Sequence, residues 1–110
     1  MMMSDLFHGL PGADLIREGL ADLHAGRRTA AACLAAIGWP KMRRARLVQR
    51  MPPHTPADAE LELYRILRRD GGDAYSRYNA LLRQLASFEH ALDRRRRSLE
   101  EFSAPEAPSS

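Results

Sequence analysis

The chain has 110 residues, 17 lysines and arginines against 14 acids, and a single cysteine. That length suits one domain with a hydrophobic core of its own, and one thiol, Cys33, supplies neither a disulfide framework nor a zinc site. No apolar run approaches the roughly 18 residues of a membrane span, and Met1–Met3 lacks the charged and apolar regions of a signal peptide, so a cytoplasmic protein is expected.

Taken in chain order, residues 1–11 read as a flexible N-terminal tail. Residues 12–102 read as a helical domain, and the Pro/Ser-rich SAPEAPSS of residues 103–110 as a disordered tail with little to bury. The domain is expected to be all-α, a compact bundle of about five helices with a long C-terminal helix, because no alternating or β-branched run suggests a strand. A first helix fits residues 12–25, where Leu15, Ile16, Gly19, Leu20 and Leu23 share one apolar face, and Gly26 ends it. A second runs from Thr29 as N-cap to Gly38, expected in the left-handed conformation.

The third helix, PKMRRARLVQRM, begins at Pro40 and is ended by Pro52 and Pro53. Helical spacing gathers Arg43, Arg46 and Arg50 within about 60°, with Leu47, Val48 and Met51 mostly on the other side. A fourth helix starts near Pro56–Asp58, carries Leu61, Leu63, Tyr64, Ile66 and Leu67, and stops before Gly71. Asp73 then caps the longest helix. There Tyr78, Leu85, Leu92 and Leu99 recur every seven residues, and Leu81, Phe88, Arg95 and Phe102 fall at the other core register of the same heptad. That helix should span about 45 Å against about 18 Å for the fourth. Either the first three helices cover the excess, or a second copy packs along a seam of Leu92, Leu99 and Phe102.

Charge is unevenly spread. Between Asp22 and Asp58 there is no acid, while Arg27, Arg28, Lys41, Arg43, Arg44, Arg46 and Arg50 all fall there. This acid-free middle, with Arg43, Arg46 and Arg50, is the candidate contact for nucleic acid or an acidic partner, since phosphate affinity needs clustered cations. A basic helix after a glycine turn resembles a helix-turn-helix in outline. Leu34 and Arg44, however, stand where that motif packs an alanine and a buried aliphatic. The second basic run, Arg94–Arg97, fans through about 300° of its helix. The i, i+4 pairs Asp93–Arg97, Arg96–Glu100 and Arg97–Glu101 are expected to neutralise it, giving a solvated helix.

Enzymatic signals are sparse. His8, His24, His54 and His90 lack metal-ligand spacing, and no catalytic, cofactor-binding or metal-ligating residue is assigned. Arg83 and His90, spaced Arg-x6-His, resemble the short signature of HEPN-type helical ribonucleases, which implies an arginine and a histidine acting on an RNA phosphate. The same spacing recurs at Arg17 and His24. In YSRYNALLRQ, Tyr75 and Asn79 lie one turn apart beside the seam of Tyr78, Leu81 and Leu85. They are expected to be polar core residues or an interaction surface. The expected function is a small non-enzymatic interaction or regulatory module working through protein–protein contacts as a homodimer. The alternative is a nucleic-acid-binding accessory protein using residues 27–50, and the third reading is a helical ribonuclease-like enzyme.

Overall fold

A computed structural model describes residues 7–103, with side chains described as far as residue 100. Within them the chain forms α1 (Ala13–His24), α2 (Ala30–Ile37), α3 (Trp39–Arg44), α4 (Ala59–Asp70) and α5 (Ala74–Ser103). This is the all-α bundle with a long C-terminal helix that the periodicity predicts, and no strand occurs among the described residues.

The fold is organised on α2. Its sequence is apolar on every side, which a helix sustains only when covered on every side, and Ala31 through Ala36 are all buried. Thr29 starts it as expected, its Oγ1 accepting from the Ala32 amide at 3.1 Å. α2 packs most extensively on α1, then on α4, and touches α3 and α5. Alanines allow the helices to approach closely, and Gly19 on α1 completes the fit. A Cβ at Gly19 would stand 2.0 Å from the Ala31 carbonyl oxygen.

The α1–α2 turn is locked by a buried carboxylate. Asp22 accepts from Arg27 Nε at 2.9 Å and from Thr29 Oγ1 at 2.6 Å, so one hydroxyl serves both the helix cap and the turn. The Thr29 hydrogen bond, then that of Arg27, holds the Asp22 carboxyl below its ordinary value against the opposing effect of burial. A carboxyl whose folded pKa is depressed adds stability at neutral pH, and that contribution is lost as pH falls through the folded value. Asp22→Asn should therefore melt lower than wild type near about pH 7, with the gap narrowing as pH falls below the ordinary carboxylate range and the wild-type side chain takes up its proton. Thermal melts showing the same gap throughout that fall in pH would contradict this lock.

Two boundaries differ from the sequence expectation. Gly38 has φ −83° rather than a left-handed angle, and its amide bonds the Leu34 carbonyl at 3.0 Å, so α2 passes almost directly into α3. More consequentially, the third helix stops at Arg44 instead of continuing to residue 51. Leu47 N–H bonds Met42 O at 2.9 Å, Arg46 N–H bonds Arg43 O at 2.9 Å, and Arg46 takes φ 63°. These are the two hydrogen bonds of a Schellman ending, with Arg46 at the position glycine usually fills and Met42 and Leu47 as its apolar pair. Burial explains the break, because Met42, Ala45 and Leu47 are all core residues, and Ala45 and Leu47 would project about 200° apart on a continued helix.

The N-terminal segment is a third correction. Phe7 and Leu10, within the expected tail, are 2 % and 8 % exposed. Phe7 meets Phe88 edge-on with ring centroids 5.5 Å apart, and the Arg17 guanidinium lies 5.5 Å over the Phe7 ring. Phe7 and Leu10 thus belong to the core and anchor this segment, while His8, Gly9 and Pro11 between and after them are exposed. Residues 1–6 and the tail from 104 lie outside the described residues.

Asp58 caps α4 through the Leu61 amide at 3.1 Å, and Leu63, Ile66 and Leu67 form its buried face. Gly71 and Gly72 both take positive φ, after which Asp73 accepts from the Ser76 amide and hydroxyl and so starts α5. α5 is 30 residues long, or about 45 Å. Ala74, Leu85, Phe88, Ala91 and Leu92 are its buried positions. Past Leu92 no described side chain of α5 is buried, so the helix end projects from the bundle.

Candidate nucleic-acid interface

The six residues of α3 carry Lys41, Arg43 and Arg44, and the Schellman ending presents Arg46 at the turn itself. Trp39, buried at 3 % exposure, donates its indole N–H to the Gln49 carbonyl at 3.3 Å. That bond ties the following stretch back against α3. Arg43, Arg46 and Arg50 therefore meet through a turn rather than along a helix. With Val48, Gln49 and Met51 they line a cavity of about 520 Å³.

Two further cavities extend this surface. Arg43 and Met51 continue into one of about 610 Å³, shared with Trp39, Pro40 and Arg44. Arg44 in turn borders one of about 220 Å³ between α3 and α5, lined by Lys41, Asp93, Arg96 and Arg97. Adjacent cavities share residues, so the surface from Arg50 to Arg97 is continuous. Lys41, Arg43, Arg44, Arg46, Arg50, Arg96 and Arg97 line it, with Asp93 as the acid among the lining residues.

The two basic runs are joined by an ion pair that the sequence spacing misassigned. Asp93 bonds Lys41 Nζ at 3.0 Å, across 52 residues, instead of Arg97 one turn away. The Lys41 hydrogen bond holds the Asp93 carboxyl below its ordinary value. Arg96 meets Glu100 at 3.3 Å as expected, whereas Glu101, the remaining expected partner of Arg97, has a side chain outside the described residues. Burial raises the Glu89 carboxyl above its ordinary value, with Lys41 and Arg44 opposing and Asp93 assisting. Arg94–Arg97 divide by direction. Arg96 and Arg97 join α3, while Arg94 and Arg95 face the N-terminal segment, where Arg95 donates to the His8 carbonyl.

The other expected site residues are dispersed. Leu92 is fully buried within the single chain, so it cannot form part of a dimer seam. Phe88 and Ala91 beside it are buried too. Leu99 is 49 % exposed, beside a cavity of about 920 Å³ lined in part by Leu10, Ala91, Arg94 and Arg95. The Phe102 side chain lies outside the described residues.

Tyr75 is 66 % exposed and is not a core residue, because the bundle covers the Ala74 side of the first turn of α5 and Tyr75 stands off it. Tyr78 is half-buried, packed edge-on against Tyr64 at 5.6 Å, and Asn79 is half-buried beside it. Tyr78→Ala should accordingly cost about 2 kcal/mol, a partly buried aromatic pair rather than a core ring. A loss above about 4 kcal/mol in chemical denaturation would contradict that placement.

Arg83 and His90 are both exposed and separated by about 10 Å of helical rise. Arg83 borders a cavity of about 410 Å³ that His90 does not line. No group of three or more histidine, cysteine or acidic side chains is placed to hold a metal ion among the described residues. Cys33 is fully buried, and burial, with Glu62 adding, pushes its thiol up to about 11, leaving it uncharged at neutral pH. No described helix is long and apolar enough to cross a membrane. Set against models of protein families, curated proteins and solved structures, the chain matches none of them.

Proposed function

We propose that the protein is a non-enzymatic binding module that holds a nucleic-acid strand by its phosphates along the face from Arg50 to Arg97. One observation carries this reading: seven cations from two distant parts of the chain line one continuous surface in which Asp93 is the acid. Clustered cations of one sign release counterions from a phosphate backbone, which supplies most sequence-independent affinity. The contacts are of the kind that position a backbone rather than read bases, since the third helix ends before it could offer a recognition face.

The test is a titration of a fluorescent oligonucleotide at low salt. Wild type should bind. The triple variant Arg43→Gln, Arg46→Gln, Arg50→Gln and the triple variant Arg44→Gln, Arg96→Gln, Arg97→Gln should each weaken binding by more than about tenfold. Absence of binding to both single strands and duplex would refute the reading.

Self-association is a second reading, favoured by Leu99 being 49 % exposed on the projecting end of α5. Light scattering at tens of micromolar should then give a dimer mass that Leu99→Asp lowers to the monomer, and a monomer mass for wild type would dispose of it.

A further inference from the structure

The cavity between α3 and α5 differs from the rest of the basic face. At about 220 Å³ it is the smallest of the three cavities along that face, and two elements far apart in sequence close around it. Lys41 and Arg44 come from α3, Arg96 and Arg97 from α5, and Asp93 is the acid in the lining. Lys41 pairs with Asp93 and Arg96 with Glu100, so of the three guanidinium groups at this small site Arg44 and Arg97 stand outside any ion pair among the described residues. One of the three is incompletely satisfied. Arg96 Nε is shut off from solvent and has no hydrogen-bond acceptor, although its terminal nitrogen meets Glu100.

We propose that this cavity is a discrete phosphate site that takes the terminal phosphate of a nucleic-acid strand in preference to an internal phosphodiester. The proposal rests on the nucleic-acid reading above and assigns one part of that face a specific ligand. Three chemical arguments support it. A terminal phosphate carries close to two negative charges at neutral pH where a diester carries one, and Arg44 and Arg97, the two lining cations outside the ion pairs, match the dianion. Guanidinium forks suit phosphate oxygens better than point charges do, because paired N–H groups bond two oxygens at once. An internal diester has a sugar on both sides and needs two ways out of a small cavity, whereas a terminal monoester needs one.

The experiment compares two oligonucleotides of one sequence, phosphorylated at both ends or bearing hydroxyls at both, titrated into the full chain at equal ionic strength. The phosphorylated strand should bind about tenfold tighter, the effect of one added charge-assisted contact. In the double variant Arg96→Gln, Arg97→Gln the two strands should bind alike. Inorganic phosphate should shift the Arg96 Nε–H resonance saturably in wild type. Equal affinities for the two strands in wild type would overturn the proposal while leaving the basic-face reading intact. Should neither strand bind at low salt, the basic-face reading fails and the nucleic-acid assignment of this cavity fails with it. An unmoved Arg96 resonance would then remove the phosphate site as well.

Discussion

Replacing Gly19 by alanine should destabilise the protein by about 3 kcal/mol, the upper end of what overpacking costs, and lower its melting temperature by more than about 10 °C. On propensity alone the change would favour the helix by about 0.5–1 kcal/mol, so the sign of the outcome discriminates. The cause is geometric. The added Cβ would lie 2.0 Å from the Ala31 carbonyl oxygen and 2.7 Å from its carbon, both backbone atoms that no rotamer change can move. Relief requires α1 and α2 to part, and α2 is buried against α1 and α4 together. At Gly38 the nearest atom to a new Cβ is the Leu85 side-chain Cδ1 at 2.9 Å, which can rotate away, so Gly38→Ala should be the milder change. A Gly19→Ala variant melting at or above wild type would show that the α1–α2 crossing is looser than described.

Phe88→Ala should cost about 3–5 kcal/mol, the range for truncating a fully buried aromatic. Phe88 is fully buried and is where the N-terminal segment meets α5 through the Phe7 ring. Its loss should therefore do more than open a cavity, because the anchorage of residues 7–12 goes with it. Hydrogen exchange should show that segment losing protection before α2 does, while urea denaturation reports the global cost. Phe7→Ala should be smaller and not additive with Phe88→Ala, since the two rings share one contact. Additive costs would mean that the ring contact contributes little.

The legible parts of this fold are those set by local chemistry. Thr29, Asp58 and Asp73 act as caps and Gly71 with Gly72 as a break, because a side-chain oxygen bonding an amide three residues on is a short-range event. The heptad in α5 was legible as a periodicity, yet what covers it was not. Leu92 and Leu99 are equivalent in sequence, and one is buried by the bundle while the other extends beyond it. The end of α3 was hidden for a similar reason. No glycine marks the left-handed position at Arg46, and the helix breaks there because Met42, Ala45 and Leu47 all reach the core.

The candidate interface was half legible. Arg43, Arg46 and Arg50 stand out by the absence of acids around them, although a turn and not a helix brings them together. Arg96 and Arg97 were discounted because acids alternate with them along α5. Arg96 does meet Glu100, and the expectation fails at Asp93, which turns to Lys41 in a contact that sequence spacing cannot reveal.

The central claim, that the two basic runs act as one phosphate-binding face, is tested most directly by the salt dependence of affinity for a single strand. Each phosphate contact adds about 0.7 to the slope of log K against log salt, so seven cations set an upper bound near about 5 for wild type. The Arg43, Arg46, Arg50 triple glutamine variant and the Arg44, Arg96, Arg97 triple variant should each flatten that slope by about 2. A slope that responds to the first variant and ignores the second would contradict the account, leaving the end of α5 as a solvated helix that only happens to lie beside α3.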